Sequence, residues 1–527
     1  MSAQELTCDV LVVGGGCGGV AAALAATALG RTVVLTEAGD RLGGQLTSQA
    51  VPPDEHPWVE WTGTTGSYRR LRDRVRASYR QTRRLTGPAA RDPALNPGAA
   101  WVSNLSTEPE VFRAVLDDLL RPARDQCLLT VRLRHRPVAA DSDHDRVLAV
   151  RFVDTGTGED LTVMPRLVLE ATEEGDLLPL AGCEVVVGAE SVADTGELHA
   201  LAGPADPADQ QAITWCAALE WRTGEDHTVD RPTGYSFWRD HRVDFWPGPQ
   251  LGWATPEPET GRVLRRPLFG KPGEQDLWTF RRIRYGGHYA DPVTDVTLVN
   301  WPQVDYWLAP LVGPPAEQHA TAPAAARELT LSFVHWLQAE APRPEGGTGY
   351  PGLRLCPEVL GTADGLAAAP YVRESRRIAA ELTVLEGHVG VEARPGADRA
   401  AEFVDSVGVG CYRIDLHPST AGRPYLDIAT YPFQIPLGAL LPRRLDNLVA
   451  AGKSLGVTHI TSGCYRLHPV EWNVGEAAGA LAAFCLDRRT SPRAVRATPA
   501  LLGDFQQTLR GLDVPLAWPA EIRTRVR

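Results

Sequence analysis

Residues 9–37, DVLVVGGGCGGVAAALAATALGRTVVLTE, decide the reading of the chain. Asp9–Val13 is a short apolar run of the kind that forms a strand buried on both faces. It runs into a glycine turn that contains G-x-G-x-x-G at Gly14, Gly16 and Gly19, with Cys17 and Gly18 in the intervening positions. Val20–Leu29 follows as a helix of small residues, Gly30-Arg31 ends it, and Thr32–Thr36 is a second strand closed by Glu37. The first glycine permits the tight turn, the second lets a diphosphate approach the backbone, and the third lets helix and strand pack closely. The start of the helix offers free N–H groups and a positive dipole end. Glu37 stands 18 residues beyond Gly19, near the spacing of about 20 at which an acid receives a ribose diol. The order strand, glycines, helix, strand, acid therefore predicts a Rossmann-like α/β nucleotide-binding domain.

The next residues choose among nucleotides. Ala38-Gly39-Asp40-Arg41-Leu42-Gly43-Gly44-Gln45 places a second glycine pair just past the acid. Here the chain resembles the FAD-dependent oxidoreductases of the glutathione-reductase-like superfamily, distant relatives of the fumarate reductase and aspartate oxidase flavoproteins. The resemblance implies FAD held by the glycine turn and Glu37, with Ala38, Arg41, Gly43, Gly44 and Gln45 close to it. Val168–Leu178, VLEATEEGDLL, is similar to the family's ATxxGD segment and brings Ala171 and Asp176 to the cofactor. Leu128–Val138 and Val147–Val153 look like strands of the family's three-stranded meander, with Val138 at the adenine. Asn447–Phe484 resembles the returning segment, in which Gly452-Lys453 turns toward the cofactor and a helix carrying Asn473 and Gly475 points its N-terminus at the flavin. A positive helix end there favours the reduced, negatively charged ring. Two residues depart from the family. Lys453 stands where many relatives have an acid on the ribityl chain, and a lysine can only donate. Gly44 falls where a histidine bonds covalently to flavin in fumarate-reductase relatives, so FAD is expected to be non-covalent, with His56 the nearby exception to test.

Composition excludes several other classes. The chain of 527 residues (57.1 kDa) is 43% hydrophobic and 22% charged, as globular proteins are. A net charge of −12 argues against nucleic-acid and anionic-membrane partners. Nine scattered cysteines form no CxxC pair and no metal spacing. No basic leader opens the chain, and no window approaches ~18 uninterrupted apolar residues. A cytoplasmic enzyme with a small-molecule substrate and no metal is the expectation, with a homodimer left open.

Candidate reactive residues lie in three places. VPPDEHPWVE (51–60) puts His56 beside Asp54 and Glu55, and a histidine suits proton removal as hydride leaves. CYRLHPVEWN (464–473) precedes the flavin-facing helix and adds Tyr465, Arg466 and His468, with His459 just upstream. The middle of the chain is rich in aromatic residues, of which Trp238, Trp246, Asn300, Trp301 and Tyr306 are candidates for a pocket over the flavin. Ser67–Arg84 reads as a solvated arginine-rich helix, and Arg373-Glu374 as a buried ion pair.

The expected division is FAD-binding segments at 1–60, 61–200 (with helical insertion and meander) and 441–490. An inserted mixed α+β substrate domain at 201–345, a helical return at 346–400, substrate-domain strands at 401–440 and a helical tail at 491–527 complete it. The expected chemistry is hydride transfer between a small organic substrate and flavin N5. The alternative is an FAD-dependent monooxygenase served by NAD(P)H or a partner reductase. A disulfide reductase would need a second nucleotide fingerprint and a close cysteine pair, and a halogenase its WxWxIP element. The sequence has none of these.

Overall fold

The computed structural model describes residues 4–271, 273–313 and 320–522. β1 (Gln4–Val13) leads into α1 (Cys17–Ala28) and β2 (Val33–Glu37). Two longer helices follow, α2 (Gly66–Thr82) and α3 (Pro109–Asp125), then β3 (Leu129–Leu133), β4 (His135–Asp143), β5 (Arg146–Asp154) and β6 (Asp160–Glu170). β3, β2, β1 and β6 pair in that order, all parallel, with Val10–Val13 at the centre and fully buried. Burial on both faces is what the unbroken β-branched run requires.

β6 joins the parallel and antiparallel parts of one seven-stranded sheet. Residues 160–163 pair antiparallel with β5, which pairs with β4, while residues 168–170 pair parallel with a late strand, Leu448–Ala450. The meander is thus three-stranded, but its first strand begins at His135. Leu129–Leu133, expected within that strand, joins the parallel sheet instead. A register shift between Pro137 and Ala139 rotates the chain there, which bears on Val138 below.

A second sheet comes from the middle of the chain. β7 (Ala217–Trp221), β8 (Arg282–Arg284), β9 (Val296–Val299) and, after helix α4 (Thr321–Ala339), β10 (Leu353–Leu355) pair antiparallel in the order β8-β9-β7-β10. The aromatic core beside it contains Trp238, Trp301, Tyr306, Phe333 and Trp336. Two small ribbons follow: β11 (Ser406–Gly410) pairs with β14 (Phe433–Pro436), and β12 (Ile414–Leu416) with β13 (Leu426–Ile428). The chain then returns through β15 (Leu448–Ala450), α5 (His459–Tyr465) and α6 (His468–Arg488).

α1 and α6 are almost wholly buried and cross each other closely. A Cβ on Gly475 would lie 1.9 Å from the Gly18 carbonyl oxygen, and one on Gly479 2.2 Å from that of Ala22. These glycines let two backbones touch, and so bring the first turn of α6 up to the glycine turn before α1. The arginine-rich helix α2 is only partly solvated: Arg72 and Arg76 are buried and pair with Glu60, Arg72 also with Glu55. They brace the 54–60 loop. Among the described residues no helix is long and apolar enough to cross a membrane.

Candidate active site

Two cavities adjoin. The first, of about 470 Å³, opens at the carboxyl ends of β1 and β2 and is lined by Gly14, Glu37, Ala38, Gly44, Gln49, Thr172 and Asp176, among others. This is the crevice in which open α/β sheets bind nucleotides. Gly14 has φ +102°, and a Cβ there would strike the Ala171 carbonyl at 2.3 Å. A Cβ on Gly19 would lie 1.9 Å from the Gly14 oxygen. Gly44 belongs to the same cradle, since its Cβ would lie 2.9 Å from Gly16 Cα. The second glycine pair thus stacks backbone on backbone against the first. Gly16 is the N-cap of α1 and has no side chain to cap it, the Gly18 amide goes to Glu471, and Glu37 accepts from the amides of Gly15 (2.8 Å) and Gly39 (2.7 Å). Burial pushes the Glu37 carboxyl up, against those two amides.

Several residues expected at the cofactor are engaged elsewhere. Arg41 points away and donates to the carbonyls of Leu360 and Gly361. Val138 sits at the register shift, and His135 and Pro137 face the cavity in its place. Asn473 bridges β11, accepting from the Val409 amide and donating to the Val407 carbonyl. Gly475 packs on Gly18, as described, rather than on a ligand. Cys17 donates its thiol to the Gly43 carbonyl. Gly452 lies beside Ala171. Lys453 donates to the Val372 carbonyl at 2.6 Å and pairs with Glu173, so its ammonium is already neutralised. Gln45 donates to the Arg466 carbonyl and to Glu471.

The second cavity, of about 220 Å³, lies beyond the first. Two chain segments connect them. Ser48 and Gln49 line the first and Asp54 the second; Ala368 and Ala369 line the first, Tyr371 and Arg373 the second. Its wall holds a chain of charged and phenolic groups. Tyr371 Oη accepts from Arg466 Nη1 (3.0 Å), and Arg466 Nη2 reaches Asp415 (3.1 Å). His417 places Nδ1 2.6 Å from Asp305 and Nε2 3.5 Å from Asp415. Asp305 further meets Arg373 (3.1 Å), Thr214 (2.6 Å) and Tyr425 (2.7 Å). Burial opposes ionisation of Asp305 and Asp415, but the cations beside them prevail and hold both well below the usual carboxylate range.

Of His56, His459, Tyr465, Arg466 and His468, only Arg466 reaches this wall. His56 is wedged between Trp58 and Trp518, with Nε2 on the Gly63 carbonyl. His459 has both ring nitrogens taken, by Glu374 and Arg423. His468 accepts from the Asp54 amide and places Nε2 3.2 Å from the Val51 carbonyl, so it positions the 51–54 segment. Burial pushes both His56 and His468 down to about 4. Tyr465 stacks on Phe433 and donates to the Gln434 carbonyl. Asn300 and Trp301 line the second cavity, whereas Trp238, Trp246 and Tyr306 are core. Arg373 and Glu374 do not pair: Arg373 takes Asp305, and Glu374 takes His459 and Arg377. The residues that sequence reading missed are Tyr371, Tyr412, Asp415 and His417, together with the Asp54–Arg281 pair (3.0 Å).

The model of the FAD dependent oxidoreductase family matches residues 9–509. The chain belongs to the FAD dependent oxidoreductase family. No curated protein sequence matches it. Similar solved structures include a geranylgeranyl bacteriochlorophyll reductase-like protein from Thermoplasma acidophilum, with 12% identity, a TM-score of 0.34 and coverage of 96% of this chain and 84% of that one. Another is the flavin-dependent monooxygenase PieE in complex with FAD and substrate, with 16% identity, a TM-score of 0.29 and coverage of 72% and 52%. A third is 3-ketosteroid-delta4-(5alpha)-dehydrogenase from Rhodococcus jostii RHA1, with 13% identity, a TM-score of 0.19 and coverage of 34% and 49%.

The first cavity suits the family's cofactor. Its glycine cradle admits no Cβ at Gly14, Gly19 or Gly44, and the buried Gln49 amide oxygen has no partner among the described residues. This FAD-dependent oxidoreductase also carries two carboxylates at the cradle. A Cβ on Gly16 would lie 3.2 Å from oxygens of both Glu173 and Glu471, and Glu471 already accepts from the Gly18 amide at 3.2 Å.

Proposed function

We propose that this enzyme transfers a hydride between a small organic substrate held in the second cavity and N5 of non-covalently bound FAD. It would act as a dehydrogenase, desaturase or oxidase within the glutathione-reductase-like superfamily. The observation that carries the reading is the adjacency of the two cavities. The segments 48–54 and 368–373 each begin at the nucleotide crevice and end at a wall of phenols and ion pairs. Bound FAD supplies the two-electron chemistry; the chain supplies placement and proton handling. Tyr371 accepts from Arg466, which leaves its own hydroxyl proton free to donate to a substrate oxygen. Burial keeps that phenol neutral. His417 meets Asp305 through Nδ1 and faces Asp415 with Nε2, and so ties β12 to Asp305 at the wall. Non-covalent attachment is supported by Gly44 at the cradle and by His56 being enclosed by tryptophans.

The test is anaerobic. Candidate donors are added to the yellow holoprotein while the oxidised-flavin band is followed. Bleaching by an organic donor without NAD(P)H is the expected result. Bleaching by NAD(P)H alone, with later oxygen consumption and a hydroxylated product, would overturn the proposal. Flavin that stays with the pellet after acid precipitation would overturn the non-covalent part.

A further inference from the structure

The second cavity has five arginines in its wall, and four are paired. Arg281 meets Asp54, Arg373 meets Asp305, Arg413 meets Asp427 and Arg466 meets Asp415. Arg266 is the exception: among the described residues no carboxylate lies within ion-pair distance of it, and Glu257 acts on it only from further off. Its guanidinium carbon sits 5.4 Å from the Trp101 ring centre and 5.6 Å from that of Phe280. Two aromatic rings thus hold the guanidinium without neutralising it.

An arginine left unpaired in a cavity where every other arginine has its acid asks for an anion from outside. We infer that the substrate is a small organic monoanion, a carboxylate carried on a planar apolar body, and that Arg266 is the residue that selects its charge. The carboxylate matches the fork of N–H donors. One unpaired guanidinium balances one negative charge. The body is set by the remaining wall, which Trp101, Phe280, Trp301, Tyr371 and Tyr412 help to line. The volume of about 220 Å³ falls below the usual range of roughly 300–1,000 Å³ for drug-sized ligands, so the molecule is small. This inference rests on the reading of the second cavity as the substrate site.

The experiment compares matched pairs on the FAD-loaded enzyme: benzoate, phenylacetate and indole-3-acetate against their neutral amides. Binding is measured by calorimetry, and the flavin absorbance is recorded in the same titrations. At least one acid is expected to bind about tenfold or more tighter than its amide, and Arg266→Gln should abolish that preference while FAD content stays at the parent level. Arg266→Lys, which keeps the charge but loses the fork, should restore part of it. Equal binding of acids and amides overturns the inference, as does a preference that survives in Arg266→Gln. No acid binding with a Kd below roughly 10 mM overturns it too. The flavin signal separates the two readings. An Arg266-dependent preference with a silent flavin spectrum leaves the anion site and removes its identity as the reaction chamber. A flavin spectrum that responds equally to acid and amide does the reverse.

Discussion

Replacing Glu471 by glutamine should change how FAD binding depends on pH. Glu471 lies in the first turn of α6, buried, with one oxygen on the Gly18 amide and the other on Gln45. The groups that face it come from every surrounding segment: the Gly18 amide and the Cys17 thiol from α1, Gln45, Glu173 and Lys453. Lys453, paired with Glu173, works against the rise and is outweighed. Burial first, and Glu173 second, push the Glu471 carboxyl up to about 7. Its oxygen lies at the glycine turn where an anionic diphosphate has to come, so bound FAD raises that value further and the complex holds Glu471 protonated.

The sign follows. Below about pH 7 the free protein already carries the proton, and FAD affinity is flat. Above it, binding has to take up a proton, and each pH unit weakens affinity about tenfold, or about 1.4 kcal/mol. Between pH 7 and 9 the observed Kd should therefore rise about 50-fold. Glu174, further along the crevice and raised to about 7 by burial and Asp176, can steepen this slope. Glu471→Gln keeps an acceptor for Gly18 and removes one titration, so its slope should be one lower than the parent's. At pH 8 it should bind FAD about tenfold more tightly. The assay is quenching of flavin fluorescence as deflavinated protein is titrated at constant ionic strength from pH 6 to 9. Calorimetry in two buffers of different ionisation enthalpy counts the protons. A parent Kd that is level across this range, or a variant with the parent's slope, refutes the reasoning.

Three further outcomes can be checked. Gly475→Ala puts a Cβ against the Gly18 carbonyl and should cost about 1–3 kcal/mol with reduced FAD content; Gly503→Ala, in an open position of the helix Pro499–Gly511, should instead stabilise by about 0.5–1 kcal/mol in chemical denaturation. Tyr371→Phe should slow anaerobic flavin reduction by about 10²-fold or more while FAD content is unchanged; an unaltered rate would remove Tyr371 from proton transfer. His56 and His468 fold with values of about 4 against about 6.5 when unfolded, so both are neutral when buried. Their effect is absent above pH 6.5, and stability falls as pH drops from there toward 4, by about 3 kcal/mol for each; His56→Phe should remove about half of that fall.

The nucleotide crevice was legible because its signals are local. A glycine turn, an alanine-rich helix and an acid at the end of a strand are set by residues within one crossover, and β1, α1 and β2 form around them. The second cavity is not local. It draws Asp54, Arg266, Arg281, Tyr371, His417 and Arg466 from six separate stretches, and no spacing rule links them. Titratable residues nearest the motifs attracted attention instead, yet His56, His459 and His468 are spent on bracing the backbone and neighbouring side chains. Arg373 and Glu374 fail as a pair for a geometric reason: neighbours in extended chain point to opposite sides, so one serves the cavity and the other the α5 side. Val138 was lost to a register shift that no alternation pattern announces.

The cradle shows how far local reading reaches. Gly44 and Gly475 were each recognised in their own segments, but only the fold shows what a side chain on either would strike: Gly44 lies against the Gly16 backbone and Gly475 against that of Gly18, so the second glycine pair and α6 both close on the start of α1. The same convergence brings Glu173 and Glu471 to that point with Lys453 beside them. Small residues make the close approach possible, and the close approach forces acids from two distant segments to share one anion seat. A site built this way binds its cofactor against its own charge, so proton uptake belongs to the cradle as much as the glycines do.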